Sequence, residues 1–195
     1  MVAGTKLPAF GSGVMIDTAA GQATATQTWQ PNFHWLTDEI AVGGCFPMKS
    51  VPDLADRHGV GAVVDLREED CDDEALLGAH GIAFLHLPTP DLHPSQLDRL
   101  DIGVQFVHEQ IARGRKVLIH CQHGIGRSAL LALCVLVDKG MAPLEALRLA
   151  KDKRELVSPS QRQYEGWSEW LTRHGHPVPS YPDFGCIAYR HLAQH

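Results

Sequence analysis

The sequence predicts an α/β fold, with a central, mostly parallel sheet flanked by helices. Short aliphatic and β-branched runs alternate with segments whose apolar residues recur at helical spacing. Glycines stand just past the ends of several helical segments, where a chain leaving a helix needs them. With 195 residues, 44% of them hydrophobic, the chain has the size of one domain with a full core.

The elements follow in order. Ile40–Val42 reads as a short strand before Gly43 and Gly44. Val51–His58 reads as a helix, with Pro52 in its first turn and Gly59 beyond it. Ala62–Leu66 is a β-branched run expected to be a buried strand, and Asp73–His80, closed by Gly81, a second helix. Ile82–Leu87 is a further strand, followed by the Pro-rich loop Pro88–Pro94. Ser95 with Asp98 three residues on resembles a capping box. Leu97, Leu100, Val104, Val107 and Ile111 then carry a helix to Gly114. Lys116–Ile119 is a strand, and an apolar helix runs from Gly126 to Asp138. Pro143–Lys153 and Ser160–Arg173 make two more helices. Residues 1–30 read as an extended or flexible lead-in, 31–174 as the body and 175–195 as a tail with room for a short helix.

Composition narrows the function. The net charge of −6 argues against nucleic-acid binding through bulk charge, while leaving room for a locally positive pocket. No run approaches the ~18 apolar residues of a membrane span, and the first residues, MVAGTKLPAFGSG, lack the apolar stretch of a secretion signal. The five cysteines, Cys45, Cys71, Cys121, Cys134 and Cys186, include no CxxC pair. Neither a disulfide framework nor a four-cysteine zinc site is expected, and a reducing, cytoplasmic setting fits best.

The chemistry concentrates in KVLIHCQHGIGRS, Lys116–Ser128. A strand ends at His120, and Cys121 opens a turn that leads to Arg127 in the first turn of an apolar helix. Such a loop points several backbone N–H groups into one concavity, and the helix N-terminus adds partial positive charge. Gln122, His123, Gly124, Ile125 and Gly126 therefore form a seat for a phosphate dianion, with Gly124 and Gly126 allowing tight curvature. Arg127 is placed to clamp two oxyanion oxygens. The same surroundings favour a thiolate at Cys121, poised for in-line attack on phosphorus. Asp91, in a loop after a neighbouring strand, is the candidate general acid, then general base for water. Asp98 and Asp101 are weaker rivals, and Glu68, Glu69 and Asp70 stand where they could line the rim. Ser128 is a donor to the departing sulfur, and His120 a support behind the loop.

HCQHGIGRS resembles the His-Cys-x5-Arg-Ser/Thr signature of the protein tyrosine phosphatase superfamily, and the Asp91 loop resembles that of its small dual-specificity branch. The resemblance runs over about Asn32–Arg173 and extends to RELVSPSQRQYEGW, where Ser160 stands in place of the family's usual asparagine. It implies a cysteine-phosphatase fold and a catalytic domain over 31–174. It also implies Cys121 as nucleophile, Arg127 as phosphate ligand and Asp91 as acid and base. No metal or organic cofactor is implied. The implied partner is a phosphorylated substrate, with phosphoprotein the first expectation. The same chemistry on a phosphoinositide, glucan or RNA 5′ phosphate is the alternative; the absence of lysine between Cys121 and Arg127 weighs against a polyphosphorylated ring.

Other readings explain less. A buried structural thiol at Cys121 would leave Arg127 without a partner at an apolar junction. Zinc on His120, Cys121 and His123 would need adjacent ligands within one tight turn. Sulfur transfer on a rhodanese-like fold needs no acid at Asp91, and a phosphate-dependent binding module needs no nucleophile. A protective disulfide between Cys71 and Cys121 is a further redox possibility.

Overall fold

The computed structural model of the chain describes Met1 and residues 29–192. The lead-in expected over 1–30 lies almost wholly outside the described residues, as does the extreme C-terminus. Strand β1 (Phe33–Trp35) is followed by β2 (Ile40–Gly43), α1 (Val51–Asp56), β3 (Val60–Arg67), α2 (Glu74–Ala79) and β4 (Ala83–Thr89). Then come α3 (Leu97–Ala112), β5 (Lys116–His120), α4 (Arg127–Asp138), α5 (Pro143–Lys153), α6 (Gln161–Arg173) and α7 (Tyr181–Ala188).

The sheet order is β1-β2-β5-β3-β4, parallel throughout except for β1 on β2. Alternation within the strands divides the core between two faces. Ala62, Val64, Val117 and Ile119 face the larger helical layer, whereas Val63 and Leu118 face the α1 and α2 side. Helix α4 is buried from Arg127 to Val137, which is why its sequence is apolar on every side. Because β2, β3, β4 and β5 are parallel, the loops at their C-terminal ends gather along one edge. The register pairs Gly43 and Asp65 with His120, so residues following these positions meet around the turn after β5.

The structure departs from the sequence expectation at several ends. β1 is an addition to the expected strands: three residues are too few to display a period. Ser95 does not cap α3. Gln96 occupies that position without a side-chain cap, and the buried Ser95 hydroxyl instead pairs with that of Thr89 at 2.6 Å. Two buried hydroxyls satisfying each other outweigh a cap whose N–H donors can reach water. The segment read as a tail contains α7, which packs with Phe184 and Ala188 fully buried. Tyr189 Oη donates to Pro159 O at 2.7 Å and Tyr164 Oη to Pro179 O at 2.8 Å, so this segment is fastened as well as packed.

Truncating Phe184 to alanine removes a fully buried ring between Tyr164 and Trp167. A loss of about 3–5 kcal/mol is expected, measured by urea unfolding; a loss below about 1 kcal/mol would mean that α7 is not part of the core.

Candidate active site

The turn from Cys121 to Gly126 closes into a seat because groups behind it hold its carbonyl oxygens. Arg154, just past α5 and fully buried, donates from Nε to Gly124 O at 2.8 Å and from Nη2 to His123 O at 2.8 Å. Its remaining contacts are Asn32 Oδ1 at 2.9 Å and His34 Nδ1 at 3.0 Å. Ser158 N–H donates to Ile125 O at 2.9 Å, and Cys45 N–H to Gln122 O at 3.1 Å. With the carbonyls drawn to the back, the peptide N–H groups are free to face the front. Gly124 has φ +70°, and a Cβ there would overlap the Gly43 carbonyl and lie 2.7 Å from Arg154 Nη2. No other residue fits.

Cys121 Sγ accepts from Gly124 N–H at 3.3 Å and lies 3.4 Å from Ser128 Oγ. Burial by itself pushes this thiol up. The Ser128 hydroxyl and the N–H groups of Ser128, Gly124 and His123 outweigh burial, so the net displacement is downward. The sulfur faces a cavity of about 100 Å³ shared with Asp91, Leu92, Ile125, Arg127 and Gln163.

Arg127 divides its guanidinium between two tasks. Nη1 and Nη2 take the Glu69 carboxylate end-on at 2.7 and 2.8 Å, and Nη1 also donates to Thr89 O at 3.0 Å. The clamp is therefore not wholly free for phosphate, as the sequence suggested. Glu69 holds one edge, and the side edge with Nε faces the seat. Nε is buried without a hydrogen-bond partner among the described residues, an open donor where an oxyanion would sit. Asp91 Oδ1 lies 3.4 Å from it, with the Asp91 carboxyl itself mostly exposed. Hydrogen bonding from Arg127 holds the Glu69 carboxyl at about 2.

His120 stands behind the turn as expected, with Nδ1 3.4 Å from Cys121 O, but its firmer contact lies elsewhere. Its Nε2 meets Asp72 Oδ2 at 2.9 Å, and Asp72 and Asp65 share Arg67 at 2.5 and 2.8 Å. This buried charge network lies at the end of β3, next to the site. An Asp and an Arg within the otherwise apolar AVVDLR are its only sequence signal. Sequence reasoning also misses Arg154 and Lys151. Lys151 Nζ donates to Glu155 O, Val157 O and Ser158 Oγ at 2.6, 2.9 and 3.2 Å, and meets His191 Nδ1 at 2.9 Å. The available clue is a lysine on the buried stripe of α5, which runs Ala146, Leu147, Ala150, Lys151.

His123 is exposed at the rim, and Gln122 is half-buried. Cys71 is an exposed free thiol whose Sγ contacts Asp72 O at 3.5 Å, and Cys121 is a buried free thiol. Burial and the carboxylates of Asp65 and Asp72 push the Cys71 thiol up. The zinc alternative is not supported: His120 is committed to Asp72, while His123 points to the rim. Ser160, in the place of the family's asparagine, caps α6 in a capping box with Gln163 and donates to Leu92 O at 2.8 Å.

A parallel sheet, a cysteine turn leading into a helix, and an arginine facing the same cavity define the cysteine-phosphatase class of fold. The chain belongs to the family described as dual specificity phosphatase, catalytic domain, whose model matches residues 44–172. It is 34% identical over 144 residues to the phosphatidylglycerophosphate phosphatase PTPMT2 of Arabidopsis thaliana, covering 69% of this chain and 62% of that one. It is 30% identical over 120 residues to dual specificity protein phosphatase 12 of Homo sapiens, covering 61% and 34%. The chain thus spans less than two thirds of either relative. Tk-PTP in its active form superposes with a TM-score of 0.68 at 26% identity, covering 74% of this chain and 99% of that one.

Ser128→Ala removes a hydrogen bond that favours the thiolate, so alkylation of Cys121 by iodoacetate should shift to higher pH; an unshifted profile would remove Ser128 from the site. The depressed Glu69 carboxyl contributes stability above its unfolded value of 4.5, and that contribution is lost as pH falls towards about 2. The stability difference between wild type and Glu69→Gln should therefore shrink across that window in acid unfolding.

Proposed function

We propose that the protein is a phosphomonoester hydrolase that works through a phosphocysteine. The observation that carries this reading is the shared cavity. The Cys121 sulfur, held by Gly124 N–H and near Ser128 Oγ, faces the same space as Asp91 and Arg127 Nε, which has no hydrogen-bond partner among the described residues. Sγ attacks phosphorus as the bond to the leaving oxygen breaks, and Asp91 protonates that oxygen. Arg127 and the turn's N–H groups stabilise the charge on the equatorial oxygens. Water then attacks the phosphocysteine, Asp91 accepts its proton, and Ser128 donates to the departing sulfur.

The substrate is a single phosphate group, on phosphoprotein Tyr and Ser/Thr residues in the first reading. No lysine or arginine stands between Cys121 and Arg127, and of the carboxylates after β3 Glu69 pairs with Arg127 while Asp70 pairs with the neighbouring Arg67. This arrangement suits one phosphate and disfavours a polyphosphorylated headgroup. A singly phosphorylated glycerol lipid is the second reading. Its support is the relative named as a phosphatidylglycerophosphate phosphatase and the exposed Leu92 and Ile125 at the cavity. Either reading needs Cys121 kept reduced, which favours a cytoplasmic setting.

Cys121→Ser should abolish turnover of an aryl phosphate, with activity at least about 10³-fold down; activity surviving the change would overturn the covalent mechanism. Comparing kcat/KM for phosphotyrosyl and phosphothreonyl peptides with that for phosphatidylglycerophosphate in mixed micelles decides between substrates. A lipid preference above about tenfold would replace the protein reading.

A further inference from the structure

The loop bearing Asp91 is held by the first turn of α6. Ser160 Oγ donates to Leu92 O at 2.8 Å, and Gln163 Nε2 donates to His93 O at 3.3 Å. Arg162 Nη1 meets His93 Nε2 at 2.6 Å, and His93 Nδ1 meets Asp91 O at 2.8 Å. These contacts fix the state of the imidazole. Nδ1 faces a carbonyl, so it carries the hydrogen and donates; Nε2 then has the lone pair that accepts from Arg162. The ring links an arginine on α6 to the main chain of the acid.

Two further features show that the loop is constrained. Leu92 has φ +60°, alone among the described non-glycine residues, a conformation that surrounding contacts must impose. A Cβ at Gly166, one turn beyond Arg162, would overlap Pro94 Cβ, so α6 presses directly on the end of the loop.

We propose that His93 and Arg162 are positioning residues for proton transfer by Asp91. They hold its main chain so that the carboxyl stays over the cavity, and neither touches the reacting atoms. The inference rests on the assignment of Asp91 as the acid. The groups around His93 are the Arg162 guanidinium, the Asp91 carboxylate and Glu165, which lines the same groove.

The test is leaving-group dependence, because only the acid step senses the basicity of the departing oxygen. Both side chains are exposed, so His93→Ala and Arg162→Leu are not expected to prevent folding. In each, kcat for phenyl phosphate should fall about tenfold further than kcat for p-nitrophenyl phosphate, part of the roughly 10²–10⁴-fold that a general acid supplies. Arg162→Lys, which keeps a donor for Nε2, should recover most of that loss. Asp91→Asn is the reference. If it leaves leaving-group dependence unaltered, the acid assignment itself is wrong. If it steepens that dependence while His93→Ala and Arg162→Leu do not, the positioning inference alone is overturned. A rise in KM for both substrates, with unchanged discrimination, would make Arg162 a substrate contact and also overturn it.

Discussion

Behind the turn after β5 lies a guanidinium with no carboxylate partner among the described residues. Arg154 is compensated by oriented dipoles instead: the carbonyl oxygens of His123 and Gly124, with Asn32 and His34 completing its shell. A buried cation in this position is costly unless each donor is satisfied. If the turn relaxed, its carbonyls would leave the arginine and orphan several donors together. The shape that exposes N–H groups to the cavity is therefore tied to the solvation of a charge on the opposite side. Cys121 and Arg127 depend on that shape, since each is useful only while the N–H groups and the helix start converge with it.

Charges around the seat follow a common pattern. Arg127 is held by Glu69, and Arg67 by Asp65, Asp70 and Asp72, of which Asp72 also holds His120. An acidic chain thus supplies the carboxylates that fix its own cations in place, while Arg127 Nε keeps only the longer 3.4 Å approach of Asp91 and no hydrogen bond among the described residues. Lys151 is handled differently, by two carbonyls, a hydroxyl and His191 from near the C-terminus. It thereby joins the segment after α6 to residues 155–158, and Ser158 passes that support to Ile125.

Much of this was legible in the sequence because it is contiguous there. HCQHGIGRS holds the proposed nucleophile, the arginine, the tight-turn glycine and the serine within one strand-turn-helix unit, and periodicity exposes the flanking elements. Asp91 could be proposed because it follows a strand expected to neighbour β5; that strand, β4, pairs with β3 instead, which stands between it and β5. Glu69 stands at the rim in the sequence reading, but its pairing with Arg127 depends on a sheet order that periodicity does not give. Arg154 reaches Asn32 and His34 across more than a hundred residues, which no local pattern records. Ser95 failed for a related reason: its partner, Thr89, sits on a different element. The helix in the C-terminal segment was expected only loosely, because its anchors, Phe184 and Tyr189, find their partners on α6 and the 158–160 turn.

The size of the cavity has a consequence for how such a molecule diversifies. About 100 Å³ is well below the roughly 300–1,000 Å³ of ordinary ligand pockets. It accommodates an oxyanion and little of whatever bears it. Discrimination therefore has to be drawn on the surrounding surface, at positions such as Leu92, His123 and Ile125, whose side chains hold nothing in the turn together. Selection can rewrite that margin repeatedly while the reaction beneath it stays the same.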